Sequence, residues 1–191
     1  MGEHAAIFLD RDGVIVINKS DYVRSWEDVE FYPESLAALA SLARSSYKIV
    51  IVTNQSVVGR GLIPLSVAEQ INEKIQKTIE EAGGRIDAVF MCAHAPWDSC
   101  DCRKPKPGLL LQAAQQLSID MTRSIMIGDA LEDIQTGQAA GVSRTVLLLT
   151  GRGVSQLALA NSNASLGYFD VCDSLSDAIR SLLGENSSEK H

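Results

Sequence analysis

AAIFLDRDGV, residues 5–14, is a short apolar run that meets an acid and then a glycine turn. An apolar run without polar alternation suits a strand buried on both faces, as parallel sheets require. Asp10 at its end then stands where α/β folds bind ligands, at the carboxyl end of a strand. The figure recurs downstream. KIVIVTNQS (48–56) is β-branched and enters a polar loop, RIDAVFMC (85–92) enters a cysteine-rich loop, and SIMIGD (124–129) again ends on an acid. RTVLLLTG (144–151) and YFDVC (168–172) complete the strand candidates.

Helical spacing fills the intervals. PESLAALASLARS (33–45), SVAEQINEKIQKTIEEAGG (66–84), PGLLLQAAQQLSI (107–119), ALEDIQTGQAAG (130–141), VSQLALAN (154–161) and SLSDAIRSLLG (174–184) read as helices. Ser66 with Glu69 predicts a capping box, and Gly83-Gly84 a stop. Alternating strands and helices predict one doubly wound, Rossmann-like α/β domain over 1–185, with a mostly parallel sheet and helices on both faces. Residues 92–102 form a small loop insertion, no interval holds a large cap domain, and 186–191 read as a flexible tail.

Composition narrows the function classes. The chain has 191 residues, is 46% hydrophobic and 21% charged, and carries a net charge of −7. That balance argues against a nucleic-acid surface but leaves room for a local basic pocket. No apolar run approaches the roughly 18 residues of a membrane span. The opening MGEHAAIFLDRDG enters a strand at once and is not expected to be a signal peptide. Ala6 stands where a myristoylation site wants Ser or Thr. Three of the four cysteines are clustered, while Cys172 lies alone and reads as a buried small hydrophobe. The pattern fits a reducing, cytoplasmic setting rather than a disulfide framework. The acidic surface makes a monomer the expectation.

Three strand ends carry candidate chemistry: Asp10-Arg11-Asp12-Gly13, Thr53-Asn54-Gln55-Ser56, and Gly128-Asp129 with Asp133 a helical turn beyond. Each alone is commonly a solvated turn or a helix cap. In order, each after an apolar strand, they point to carboxylates converging on one hard cation, since magnesium prefers oxygen ligands. Lys104, within RKPKP (103–107), would then offset the charge of a bound phosphate, and Arg103 suits a second phosphate through its forked guanidinium. There is no GxSxG elbow or GxxxxGK[ST] loop, and GRG at 59–61 and 151–153 lacks the third glycine of a dinucleotide fingerprint. CAHAPWDSCDC (92–102) spaces Cys92, His94, Cys100 and Cys102 as C-x-H-x5-C-x-C. A closed Cys3His set is the structural form of zinc. Zinc there would stiffen the segment that presents Arg103 and Lys104.

FLDRDGV resembles the first motif of the haloacid dehalogenase-like phosphatases. IVTNQS, RKPKP and IGDALED resemble their second, lysine and third acidic motifs. The cysteine loop is similar to that of the heptose bisphosphate phosphatases, which histidinol-phosphate phosphatases share. The resemblance implies a phosphatase acting on a small phosphorylated sugar, with the 7-phosphate of heptose 1,7-bisphosphate first, in nucleotide-heptose (lipopolysaccharide) precursor synthesis. Histidinol phosphate is the alternative substrate, and a non-catalytic zinc-stabilised binding module the alternative class. It further implies Asp10 as nucleophile and Asp12 as general acid and base. Magnesium would lie on Asp10, Asp129 and the Asp12 carbonyl, with Asp133 orienting waters or Lys104. Thr53 and Lys104 would hold the phosphoryl oxygens. Asn18, Lys19, Ser20 and Asp21, with Thr53, Asn54, Gln55 and Ser56, would contact substrate. Two positions depart from the pattern: Val57 replaces a usual glycine, and Ala130 stands where some members carry lysine.

Overall fold

The apolar runs become strands that pair only with parallel neighbours in the computed structural model, which describes residues 2–160 and 166–184. The strands are β1 (Ala6–Leu9), β2 (Lys48–Asn54), β3 (Ala88–Cys92), β4 (Ile125–Gly128), β5 (Arg144–Leu148) and β6 (Asp170–Cys172). Among the described residues they form one sheet in the order β3-β2-β1-β4-β5-β6. The helices are α1 (Ser35–Leu42), α2 (Ser56–Gly59), α3 (Leu65–Glu81), α4 (Gly108–Leu117), α5 (Leu131–Ala140), α6 (Gly153–Ala160) and α7 (Leu175–Leu183).

Strand side chains alternate between two cores. Ile7, Leu9, Ile49, Ile51, Ile125 and Ile127 pack with Leu39 of α1, Ile71, Ile75 and Ile79 of α3, and Ile179 of α7. Ala6, Phe8, Val50, Val52 and Met126 face the other way, onto Leu109, Leu110 and Ala113 of α4. The doubly wound expectation holds. Strand order reverses between β1 and β4, so the carboxyl ends of these two strands border the crevice where such sheets bind ligands.

Local differences have local causes. The Ser66–Glu69 capping box does not form. The helix begins at Leu65, because Pro64 is extended (φ −65, ψ 153) and its carbonyl accepts from the amides of Val67 and Ala68. Ser66 is thereby inside the first turn. The stop is as expected: Gly83 has φ +86, and the Gly83 and Gly84 amides donate to the Glu80 and Ile79 carbonyls. Cys172 is half-buried rather than buried, since β6 is a short edge strand. The segment between β1 and β2 carries a short 3-10 turn, Trp26–Asp28, and α1. The tail at 186–191 lies outside the described residues. No described helix is long and apolar enough to cross a membrane.

Candidate active site

Asp10 follows β1, and its amide donates to the Ile127 carbonyl of β4, so the acid is fixed at the reversal of strand order. Its Oδ1 lies 2.8 Å from Lys104 Nζ. The same ammonium lies 2.5 Å from Asp133 Oδ1 and donates to the Val52 carbonyl at 3.0 Å. Lys104 is 3% exposed, and these three acceptors use all three of its N–H donors. Its main chain is clamped by Asn54, which accepts from the Lys104 amide and donates to the Lys104 carbonyl. Asp133 Oδ2 also accepts from the Ala130 amide, at the start of α5. Asp133 thus orients Lys104 and closes a helix end with one carboxylate.

Asp129 follows β4 and is fully buried. Its Oδ2 accepts from Asn18 Nδ2 at 2.7 Å and from the Arg152 amide at 2.8 Å, and Arg152 Nη2 is 3.4 Å from Oδ1. Two glycine backbones flank it. A Cβ on Gly13 (φ +89) would lie 2.1 Å from Asp129 Oδ2, and one on Gly151 (φ +54) 2.2 Å away. Only glycine allows both the left-handed turns and this closeness.

The electrostatics favour a cation. Carboxylate oxygens of Asp10, Asp129 and Asp133 lie within 4.8 Å of one another. Burial pushes the Asp10 carboxyl up from 3.8 to about 6, against the pull of Lys104 and with help from Asp133 and Asp12. Burial also raises Asp129, with Asp10 adding to it, and raises Asp133 against Lys104. Burial works to lower Lys104, but Asp10 and Asp133 outweigh it and hold the ammonium above its usual range. Buried anions in this excess, offering hard oxygens, fit magnesium.

Asp12 accepts from Arg11 through Nε and Nη2, and its Oδ2 also accepts from Gln55 Nε2 at 2.8 Å. Gln55 Nε2 donates to Thr53 Oγ1 as well. Thr53 is buried beside the site but does not line the cavity above it.

That cavity is about 460 Å³. Asp10, Asp12, Asn18, Lys19 and Ser20 line one part, and Asn54, Gln55, Ser56, Arg103 and Lys104 another. Asp21 is not on its wall; its carbonyl accepts from Arg24 in the adjoining turn. Asn18 serves Asp129 as well as the cavity. Lys19 is paired with Glu30 at 2.7 Å. Arg103 lines the cavity, and its Nη1 is buried without a hydrogen-bond partner.

Sequence reasoning missed Tyr22, Arg60, Glu132 and Arg152 on this wall. The signal was present but misread: each weak GRG stretch carries one arginine to the cavity. The Arg60 guanidinium is 5.0 Å from the Trp97 ring and 5.9 Å from Tyr22, joining the loops after β1, β2 and β3. Trp97, on the cysteine loop, is 67% exposed.

In that loop the donors have already converged. Cys92 and Cys102 sulfurs are 3.2 Å apart, Cys92 and Cys100 3.8 Å, and His94 Nδ1 is 3.3 Å from Cys102 and 3.6 Å from Cys92. Tetrahedral zinc with bonds of about 2.0–2.3 Å spaces its donors about 3.5–3.8 Å apart. The set fits. Burial, with Cys92 and Cys100 alongside, pushes the Cys102 thiol up to about 12, so the sulfurs need a cation to ionise together.

Residues 101–178, which carry Lys104, Asp129 and Asp133, match the HAD-hydrolase-like family model, and the chain is a HAD-like hydrolase. Curated relatives include the D-glycero-beta-D-manno-heptose-1,7-bisphosphate 7-phosphatase of Photorhabdus laumondii, 38% identical, covering 94% of this chain and 95% of the relative. The phosphatase of the same name from Helicobacter pylori (strain 26695) is 41% identical, over 78% and 86%. The solved D,D-heptose 1,7-bisphosphate phosphatase from B. bronchiseptica, complexed with magnesium and phosphate, superposes with a TM-score of 0.88 at 35% identity, over 95% and 99%. The chain belongs to the family of these heptose bisphosphate phosphatases.

Proposed function

We propose that this chain is a magnesium-dependent phosphatase that hydrolyses the 7-phosphate of D-glycero-D-manno-heptose 1,7-bisphosphate to heptose 1-phosphate. The observation that carries the chemistry is the buried Asp10–Lys104–Asp133 chain beside Asp129, at the floor of a cavity with basic walls. A carboxylate 2.8 Å from a fixed ammonium is oriented without being protonated away, and the ammonium remains beside the phosphoryl group it must stabilise.

An Asp10 carboxylate oxygen attacks phosphorus while the bond from phosphorus to the sugar oxygen breaks. The electron pair stays on that oxygen, which takes a proton from the Asp12 carboxyl and leaves as the alcohol. Water then attacks the aspartyl-phosphate and gives its proton to the Asp12 carboxylate. The bond between phosphorus and Asp10 breaks, releasing inorganic phosphate and restoring the Asp10 carboxylate. The Lys104 charge faces the phosphoryl oxygens, Asn54 keeps the Lys104 main chain in place, and Thr53, buried behind the cavity wall, braces Gln55. Magnesium, the ion in the Bordetella relative, would be held by Asp10, Asp129 and the Asp12 carbonyl and would offset the charge of the phosphate.

Arg103, Arg60 and Lys19 suit the second phosphate, and they favour a bisphosphate over histidinol phosphate. The cysteine–histidine loop would hold structural zinc. Place in nucleotide-heptose (lipopolysaccharide) precursor synthesis, a cytoplasmic setting and a monomeric state go with this reading. Phosphate release with magnesium, compared over heptose 1,7-bisphosphate, heptose 1-phosphate and histidinol phosphate, tests it. The bisphosphate should lose one phosphate with the highest kcat/KM. Higher turnover of histidinol phosphate would replace the substrate while keeping the mechanism.

A further inference from the structure

Arg11 has no part in the steps above, yet among the described residues it is the largest fully buried side chain, 1% exposed. Burying a guanidinium is costly, and a purely structural residue at this position would be better served by an apolar side chain. Neighbours on an extended chain point to opposite sides and do not meet. Here the turn at Gly13 folds Asp12 back, so that Arg11 grips the carboxylate next to it. Nη2 is 3.0 and 2.8 Å from the two Asp12 oxygens, and Nε is 3.1 Å from Oδ2. A planar fork of this kind sets the plane of the carboxylate as well as its position.

The remaining arm of the guanidinium is anchored from outside the cavity. Arg11 Nη1 donates to Asn72 Oδ1 at 2.8 Å, and Asn72 sits on α3, buried, with its Nδ2 3.4 Å from Met91 Sδ. Asn72 lines a separate groove between α3 and β3 and does not touch the catalytic cavity.

We propose that Arg11 and Asn72 are positioning residues for the proton that Asp12 gives to the departing alcohol, with Asn72 fixing the guanidinium and the guanidinium fixing the carboxyl toward the leaving oxygen. The inference rests on the phosphatase mechanism above. It makes a residue with no contact to substrate or metal a determinant of one chemical step. That step is delivery of a proton to the departing alcohol.

The test separates proton delivery from general damage by changing the leaving group. Single-turnover release of the leaving group, which precedes hydrolysis of the aspartyl-phosphate, is measured as heptose 1-phosphate from the bisphosphate, whose alkoxide must be protonated, and as p-nitrophenolate from p-nitrophenyl phosphate, which departs without a proton. Asn72→Ala should slow the alkyl substrate about tenfold, a part of the 10²–10⁴ that general acid catalysis supplies. The aryl rate should change less than about twofold, within the scatter of a substitution that leaves transition-state contacts intact. Arg11→Lys, which keeps a cation but loses the fork, should give the same split and stands in if Asn72→Ala fails to fold. Equal slowing of both substrates, or of neither, overturns the proposal. Asp12→Asn is the control: no split there would remove the mechanism itself, whereas a split there without one in the Asn72 variant removes only the positioning.

Discussion

Asp10, Lys104, Asp129 and Asp133 come from two strand ends, a loop and a helix between residues 10 and 133, whereas Cys92, His94, Cys100 and Cys102 come from one stretch of eleven residues. The carboxylate site exists only once β1 and β4 are neighbours, because no local segment brings its members together. The cysteine–histidine site needs little more than a turn after β3. The first holds carboxylates in excess of their one buried ammonium in the core, and the second runs from the buried Cys92 out to the half-buried Cys100 and Cys102. Damage to the first should therefore reach chemistry and folding together, and damage to the second should reach the chemistry only through Arg103 and Lys104.

The largest effect is expected at the nucleophile. Asp10→Asn should reduce turnover on the order of 10⁴-fold or more, by analogy with other covalent nucleophiles, measured as steady-state phosphate release. The same substitution sharpens the charge argument. Asp10 is raised from 3.8 to about 6 in the folded protein, so its protonated form is the one folding favours. Its contribution to stability is present below about pH 4 and is lost as pH rises through about 6. Metal-free wild type should lose stability across that window, while metal-free Asp10→Asn should lose less of it in thermal melts.

Next comes the ammonium. Lys104→Met leaves Asp10 and Asp133 without their shared partner and should cost about 3–5 kcal/mol in denaturant unfolding of the metal-free protein. Turnover should fall about 10²–10³-fold with it, as when one stabilising donor is removed from an active site. A Lys104→Met protein as stable as wild type would break the contrast between a core site and a surface site.

Effects on the loop should be smaller and of another kind. Cys100→Ser should lower zinc from about one per chain in metal analysis, as a four-ligand site implies. It should raise KM about tenfold and change kcat less, in line with indirect effects around metal sites. If kcat falls more than KM rises, the loop takes part in the chemical step. Smallest of all is the cation–π tie. Arg60→Leu removes contacts worth about 0.5–1 kcal/mol at exposed sites. Loss of the tie alone raises KM about two- to fivefold by that measure, read from saturation curves, and a larger rise reports the Arg60 contact with the distal phosphate proposed above.

The two regions also differed in how far sequence revealed them. Spacing alone marked Cys92, His94, Cys100 and Cys102, because their geometry is local. Asp10 and Asp129 were legible because a buried strand ending on an acid is a pattern in one dimension. Lys104 was legible by its motif, but its contact with Val52 O was not, since that depends on how α4 seats against the sheet. Arg11 carried no signal, because a charged residue beside two acids reads as solvated. Arg60 and Arg152 were hidden inside GRG stretches whose glycines drew attention first. Ser66 misled because the motif for a capping box was complete, and Pro64, two residues earlier, had already started the helix.

The slot around Asp129 bears on how this chain can vary by descent. Gly13 and Gly151 do not line the cavity, yet each leaves about 2 Å where a side chain would begin. Every amino-acid replacement reachable by one base change in a glycine codon adds at least a Cβ. Each such change would press on the same carboxylate oxygen, Asp129 Oδ2. Neither position has a neutral neighbour in sequence space. The two residues with the least chemistry are thus among the least replaceable.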